Sequence, residues 1–199
     1  MRIVVPVYFD YASSLCYVAW RIVAVLDAEL DVAFDWRGVM IAAQYPAWKP
    51  GDRIREEIRV NIERVAHEAD VTLRIPERWL DSRAALEGAV FAAQHGCAAA
   101  FHDGIFRAAY EHGEDIADKR VLIHIAAASG LPVGSFMEHI ATRRAAPWLA
   151  ATLEEARAHG ISGYPTFLLG EFPLIGVQPY ATMKQLIARH LEHSRQRLH

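Results

Sequence analysis

The chain has 199 residues, of which 53% are hydrophobic and 23% are charged, and its formal net charge is −3. This composition is typical of a globular protein that can bury one sizeable core. It offers no polybasic patch, which argues against nucleic acid and membrane surfaces as partners. The opening residues MRIVVPVYF lack the parts of a signal peptide, and no apolar run reaches the roughly 18 residues of a membrane span. We therefore expect a cytoplasmic protein.

The first part of the chain predicts a strand, a helix and a second strand. Residues 2–9 are β-branched and apolar, which is typical of a buried strand. Pro6 removes one ladder hydrogen bond and therefore favours an edge position or a bulge. Residues 14–29 carry apolar side chains at the spacing of a helix. Residues 31–37 carry a large apolar side chain at every second position, which predicts a strand with one buried face.

Helical periodicity alone is present from about residue 54 to residue 159, after a loop over 43–53 that contains proline and glycine. The helices predicted in this block include residues 82–95, 98–111, 118–129, 135–144 and 147–159. The chain closes with two short strands over 163–170 and 171–176, which form an antiparallel hairpin. A final helix is predicted over residues 179–197.

The order of these elements predicts an α/β fold in which both ends of the chain build one mixed four-stranded sheet. Residues 1–45 and 160–199 then form the sheet domain. Residues 46–159 form an all-helical insertion domain between the two halves of the sheet.

Several segments resemble the DsbA superfamily of thioredoxin-fold proteins. The segment DYASSLCY (10–17) resembles the active-site segment. That segment reads Cys-Pro-x-Cys in FrnE-like thiol oxidoreductases, and Ser-Pro-x-Ser in kappa glutathione transferases and 2-hydroxychromene-2-carboxylate isomerases. The segment HGISGYPTFLLGEFPLIGVQPYATMKQLI (159–187) resembles the part that holds the family's cis proline. Residues 81–96 and 101–131 are similar to the helical insertion. The resemblance implies a thioredoxin-like sheet with a large helical insertion, and thiol or glutathione chemistry.

The start of the first predicted helix carries Ser13 and, three residues later, Cys16. The N–H groups of a helix N-terminus favour the thiolate, which is the reactive form of cysteine. A serine cannot form a disulfide, so this motif cannot cycle between dithiol and disulfide. Ser13 could donate a hydrogen bond to the thiolate of bound glutathione, as the resemblance to the isomerases and kappa transferases implies. Alternatively, Cys16 could form a mixed disulfide, or Ser13 could be an N-cap and Cys16 a packed apolar side chain.

Further side chains are candidates for holding glutathione or an extended peptide. The resemblance implies a cis bond between Tyr164 and Pro165, which would turn the N–H and C=O of Tyr164 outward to pair with such a peptide. The start of the last helix could hold a carboxylate through its N–H groups. The loop with Trp48 and Lys49 could cover the site, or these two could equally be surface residues. The candidates are Ser14, which replaces the motif proline, Tyr164, Pro165, Gln178, Trp48 and Lys49.

Other polar and sulfur-containing residues leave alternatives open. Cys97 could be a packed residue, or it could resolve a disulfide with Cys16 if their Cα atoms come within about 6 Å. Asp10 could cap the helix, tune Cys16, or stay solvated at the end of the strand. His95, Cys97 and His102 do not share one helix face, so we expect no metal site. We expect no tightly bound cofactor, with glutathione as a cosubstrate, and the resemblance allows a homodimer.

These observations lead to three hypotheses about function. The first is a DsbA/FrnE-like thiol-disulfide oxidoreductase with an atypical Ser-x-x-Cys site. In it Cys16, supported by Ser13 and Pro165, acts on a thiol or a glutathione mixed disulfide. The second is a glutathione-dependent isomerase or transferase of the 2-hydroxychromene-2-carboxylate isomerase or kappa type, in which Ser13 positions the glutathione thiolate. The third is a binding module without catalysis. The first requires a reactive Cys16, the second requires Ser13, and the third requires neither.

Overall fold

A mixed sheet of four strands forms the base of the molecule. The structure is a computed structural model and describes residues 2–196. The strands are β1 Ile3–Phe9, β2 Val32–Gly38, β3 Thr166–Leu169 and β4 Phe172–Ile175. They lie in the order β2-β1-β3-β4, with β1 parallel to β2 and β3 antiparallel to both β1 and β4. The predicted mixed sheet built from both ends of the chain is confirmed.

The strand β1 lies between β2 and β3, but its β3 side is unpaired at Pro6, so Pro6 stands at a local edge as the sequence predicted. The Val39 N–H donates to the carbonyl of Phe9, which means that the odd-numbered residues of β1 turn their backbone groups toward β2. Pro6 therefore faces β3. The pairing with β3 covers only Val7 and Tyr8, and it stops just before the residue that has no N–H to give.

The helices agree with the predicted periodicity to within a few residues. Helix α1 spans Ser14–Glu29, and α9 spans Tyr180–Gln196. The last residue predicted for α9, Arg197, lies outside the described residues. Both helices bury apolar side chains against the sheet, in a cluster that includes Val5, Val7, Ile22, Leu26, Phe167, Met183 and Ile187. Full burial of such a side chain stabilises the fold by about 1.5–3 kcal/mol.

The regular elements between β2 and β3 are helices, and two of their connecting segments meet in an isolated antiparallel bridge between Arg53 and Arg78. The helices of this insertion are α2 Ile41–Gln44, α3 Glu56–Glu68, α4 Arg83–Gln94, α5 Ala98–Arg107, α6 Lys119–Ala128, α7 Val133–Ala141 and α8 Ala146–Ala158. A π-helical turn, Ala108–His112, extends α5. Helix α2 was not predicted, because four residues are too few to show a helical period. Its second half falls in the loop predicted over 43–53. At Gly88 of α4, a Cβ atom would lie 2.8 Å from the ring of Phe101, so α4 and α5 pack too closely for a side chain there.

The insertion and the sheet share one hydrophobic core. Side chains at the end of β1 and the start of α1 pack in the same cluster as aromatic side chains of the insertion. The cluster includes Phe9, Tyr11, Cys16, Phe101, Phe106, Tyr110 and Phe136. The division into 1–45 with 160–199 and 46–159 thus follows chain order, and it stays a prediction.

Candidate functional site

The N-terminus of α1 faces the start of β3. Ser13 is the N-cap residue of α1, but its hydroxyl makes no capping hydrogen bond. It donates instead to the carbonyl of Tyr164, with an O–O distance of 3.3 Å, and the bond between Tyr164 and Pro165 is cis. The carbonyl of Tyr164 therefore faces Ser13 and does not point outward as expected. The tertiary structure brings the predicted residues Ser13, Tyr164 and Pro165 together, and it places Ser14 beside them as a buried residue of the first turn.

Cys16 lies deeper in the same turn and is fully buried. Burial raises the pKa of its thiol to about 12 from the ordinary 9.0, although the backbone of Asp10 and the hydroxyl of Ser13 act in the opposite direction. This change disfavours the thiolate by about 4 kcal/mol, whereas a helix N-terminus contributes about 0.3–2 kcal/mol in its favour. The expectation that the helix makes Cys16 a thiolate is therefore wrong. A catalytic role for Cys16 stays a hypothesis that would require the site to open.

Asp10 ties this turn to the insertion. It is 1% exposed, so it is not a solvated residue at the end of β1. One carboxylate oxygen accepts from the N–H of Ala12 at 2.9 Å, and the other accepts from the N–H of Ile41 at 2.7 Å. The side chain of Ser82 also hydrogen-bonds to it, and burial raises its pKa. Asp10 thus holds the turn before α1, the start of α2 and the start of α4 in fixed relative positions.

A second buried network lies behind the turn. The hydroxyl of Tyr11 is 2.6 Å from Nδ1 of His102, and the hydroxyl of Tyr110 donates to the carbonyl of Tyr11 at 2.6 Å. Burial lowers the pKa of His102 to about 3, so the imidazole is neutral. Sequence reasoning missed this network, because Tyr110 falls at an apolar position of the predicted helix 98–111 and His102 was considered only as a metal ligand. Their partners are about 90–100 residues away in the chain, and no local pattern indicates them.

The segment around α2 lies against the chain that leads into the cis proline. The side-chain amide of Gln44 donates to the carbonyl of Ile161 at 2.9 Å, and the hydroxyl of Tyr45 donates to the carbonyl of Ser162 at 2.8 Å. The hydroxyl of Tyr164 donates to the side chain of Gln44. These contacts close one side of the Ser13 site, and Ser13 keeps only 8% of its surface exposed.

The remaining predicted residues lie at the margin. Trp48 stacks on Trp79 with ring centroids 4.6 Å apart, and it lines with Asp10 a cavity of about 30 Å³. Lys49 is exposed on the surface. Gln178 is partly buried just before α9, and within residues 2–196 no hydrogen bond joins it to the Ser13 site.

Both cysteines are free thiols, and Cys97 is partly exposed. The nitrogen Nδ1 of His95 bonds to the carbonyl of Phe91 at 2.8 Å, and that of His102 bonds to Tyr11. In the part of the chain that the structure describes, no three His, Cys, Asp or Glu side chains group as metal ligands. Among the helices of that part, none combines the length and hydrophobicity that a bilayer span requires.

A mixed four-stranded sheet, a cis proline that faces the N-terminus of the first helix and a helical insertion define a thioredoxin-fold protein. The model of the DSBA-like thioredoxin domain matches residues 4–188, and the chain belongs to this family. No curated protein sequence matches the chain.

Solved structures show the same fold over nearly the whole chain. A 2-hydroxychromene-2-carboxylate isomerase is 19% identical with a TM-score of 0.81, and the match covers 98% of both chains. A protein described as a probable DsbA oxidoreductase from Streptomyces coelicolor is 20% identical with a TM-score of 0.74, over 96% of this chain and 90% of that one. The cytosolic disulfide reductase DsbM from Pseudomonas aeruginosa, in a structure with GSH, is 21% identical with a TM-score of 0.64, over 98% of both chains.

Proposed function

We propose that the protein is a glutathione-dependent isomerase or transferase in which the hydroxyl of Ser13 holds the glutathione thiolate. One observation carries this proposal. At the N-terminus of α1 the serine hydroxyl is not used as a helix cap and faces the cis-proline segment, whereas the thiol of Cys16 is fully buried. The group that is placed to meet a ligand is thus an alcohol that cannot exchange disulfides.

The surroundings of Ser13 suit a thiolate and a peptide backbone. The N–H of Cys16 already donates to the carbonyl of Ser13, but the N–H groups of Ser14 and Leu15 have no partner within the helix. Together with the helix dipole they favour a negative charge at this end. When glutathione binds, the hydroxyl of Ser13 turns from the carbonyl of Tyr164 to the sulfur. That carbonyl is then released to accept an N–H of the glutathione backbone. The first step lowers the pKa of the bound thiol, and the second orients the peptide.

In this proposal glutathione is a cosubstrate, and its thiolate is the group that reacts with the substrate. Its thiolate adds to an electrophilic carbon of the substrate, such as a double bond conjugated to a carbonyl group. In an isomerase, the double bond becomes a single bond, rotates, and forms again when the thiolate leaves, so glutathione is recovered. In a transferase, a proton completes the adduct. The similarity to an isomerase structure supports this choice, and the similarity to the disulfide reductase DsbM in a structure with GSH supports glutathione as the ligand. A cytoplasmic location belongs to the same proposal.

The competing hypothesis is thiol-disulfide exchange through Cys16, which the family membership favours. It requires the buried thiol to become exposed and to ionise against a pKa of about 12. The two functions therefore differ in which of two residues in one helical turn is essential.

The test uses the full chain with Cys97→Ser, which removes the partly exposed thiol. Binding of reduced glutathione is followed by calorimetry, and the thiolate of the bound ligand is followed by its ultraviolet absorbance across pH. We expect Ser13→Ala to lower the thiolate signal at neutral pH at least tenfold and Cys16→Ala to preserve it. Ser135→Ala, a serine exposed on α7, is the matched control.

Intact mass after incubation with oxidised glutathione supplies the second readout. We expect no adduct on the folded protein. An adduct that Cys16→Ala abolishes, with Ser13→Ala unchanged in the binding experiment, would establish the oxidoreductase function instead. If glutathione neither binds nor forms an adduct, the proposal is overturned and the hypothesis of a binding module without catalysis is favoured.

A further inference from the structure

A groove runs along the outer edge of β2, away from the Ser13 site. Its volume is about 950 Å³, and it is lined by residues 33–38 of the strand and by side chains of α1, α4, α5 and α8. Trp20 and Trp36 lie in its floor. Trp148 of α8 stands beside it with 64% of its surface exposed, the highest value of any large apolar side chain among residues 2–196. Exposed tryptophan beside an open strand edge is typical of an interaction surface.

The strand β2 offers unpaired backbone groups to this groove. Because the N–H of Val39 bonds to β1, odd-numbered residues of β2 face β1 and even-numbered residues face outward. The N–H and C=O groups of Phe34, Trp36 and Gly38 therefore point into the groove. Within residues 2–196, no other backbone or side-chain group bonds to them.

The other edge of the sheet is protected. The N–H of Gly176 donates to the carbonyl of Pro165, so even-numbered residues of β4 face β3 and Pro173 faces outward. Proline has no N–H, and at this position it interrupts the row of donors that a further strand would need. The strand β2, whose sequence is VAFDWRG, has no proline. Arg2 donates to the outward carbonyl of Val32 at the start of the strand, and the edge from Phe34 to Gly38 stays open.

The charges on β2 are complementary to those of a second copy. When two copies of β2 pair antiparallel about a twofold axis, the residue on the axis lies opposite the same residue of the partner. The residues on either side of it then lie opposite each other. An axis through Trp36 places Asp35 opposite the partner's Arg37, and Arg37 opposite the partner's Asp35. An axis through Asp35 would oppose two carboxylates, which destabilises a sheet, and an axis through Phe34 would oppose Asp35 to Ala33.

In the single chain these charges already lie on one side of the strand. Arg37 is 2.8 Å from Asp35, and it also pairs with Glu155 of α8. Because Asp35 and Arg37 carry opposite charges, the same two side chains can form an ion pair within one strand and with the partner strand across the axis. An unrelated peptide would need a matching charge pattern, whereas a second copy has it by symmetry.

We propose that two copies of this chain dimerise through the β2 edge, antiparallel about an axis at Trp36, so that their two sheets become one continuous sheet. The proposal is independent of the chemistry at Ser13.

The test is a charge exchange read by analytical ultracentrifugation of the full chain. We expect the wild type to be a dimer. Asp35→Arg alone and Arg37→Asp alone each place like charges opposite each other, and each is expected to weaken the dimer at least tenfold. The double variant restores opposite charges and is expected to dimerise. An equimolar mixture of the two single variants is expected to form heterodimers, because each supplies the charge that the other lacks.

Two controls keep the outcome clear. Glu63→Arg reverses a charge on the exposed face of α3, and it should leave the dimer unchanged. Circular dichroism melting checks that Arg37→Asp, which also loses its contact with Glu155, remains folded. A monomeric wild type would overturn the proposal and leave the edge open to an extended peptide of another protein. A dimer that ignores both charge reversals would overturn it as well.

Discussion

Two buried carboxylates, Asp10 and Glu87, show opposite ways of placing a charge inside this protein. Asp10 is 1% exposed and Glu87 is fully buried. Both oxygens of Asp10 accept hydrogen bonds from backbone N–H groups, and a serine side chain adds a further bond. Every polar atom of this carboxylate has a partner, and those partners belong to different segments of the chain.

Glu87 of α4 has only long contacts. One oxygen lies 3.4 Å from Arg83 and 3.3 Å from Arg143, and both arginine side chains are more than a third exposed. The other oxygen has no partner in the described residues, and neither does Nε2 of His139, which lies nearby on α7. An unpartnered buried polar atom costs about 1–3 kcal/mol.

Burial alone therefore does not distinguish a site from a packing compromise. The carboxylate near Ser13 organises the chain around it, because each of its bonds fixes a separate segment. The carboxylate in the insertion is tolerated. The contrast predicts that changes near Asp10 are costly and that a change at Glu87 is not.

The largest effect is expected for Asp10→Asn. The amide keeps the size of the side chain and one acceptor oxygen, but it places an N–H₂ group against the other backbone N–H. That backbone donor loses its acceptor, and the amide N–H₂ has no acceptor there. We expect the free energy of unfolding in urea to fall by about 3–5 kcal/mol. A loss below about 1 kcal/mol would mean that Asp10 does not hold its segments.

The next effect is a pH dependence that arises from His102. Its pKa is about 3 in the folded protein and has the ordinary value of 6.5 when unfolded. Because the folded value is the lower one, the stability from neutral His102 is complete above about pH 6.5 and falls as the pH falls. The slope is about 1.4 kcal/mol per pH unit, or about 3 kcal/mol by pH 4.

That slope is measured as the difference in unfolding free energy between the wild type and His102→Phe at each pH. Other titrating groups, including Asp10, are shared by the two proteins and cancel to first order. A difference that stays constant from pH 7 to pH 4 would show that His102 takes up a proton as readily in the folded state as in the unfolded state.

A smaller loss is expected for Tyr110→Phe. The change removes only the hydroxyl that donates to the carbonyl of Tyr11 at 2.6 Å, and it leaves that buried carbonyl without its donor. We expect unfolding to become easier by about 1–2 kcal/mol. Tyr45→Phe removes a hydroxyl from an exposed hydrogen bond and serves as the control, with an expected change within about 0.5 kcal/mol.

The smallest effect is expected for Glu87→Gln, the counterpart of Asp10→Asn. The amide removes a poorly paired buried charge, and the two arginines can turn to solvent. We expect a change within about 1 kcal/mol, in either direction. A loss as large as that of Asp10→Asn would remove the contrast between the two carboxylates.

Local patterns in the sequence determined most of the secondary structure. Helix α1 was predicted over the residues that form it, because sixteen residues show several helical periods. Glycines follow the predicted helices 82–95, 118–129 and 147–159, and these glycines, Gly96, Gly130 and Gly160, have the positive φ angles that are common at helix ends. The short α2 was missed for lack of a period. Pro6 was expected near an edge, and the strand that leaves its other side unpaired lies about 160 residues later in the chain.

The candidate site likewise combines features that the sequence predicts with features that only the tertiary structure shows. The sequence by itself determined that Ser13 begins α1 and that Pro165 precedes β3, since helix starts and strand starts are set by neighbouring residues. Only the tertiary structure decided that Cys16 is fully buried with a raised thiol pKa, and that Asp10 is buried. Burial and hydrogen-bond partners are supplied by the insertion and by β3, which no local period can place. The choice between the two thiol chemistries therefore depends on contacts between distant parts of the chain.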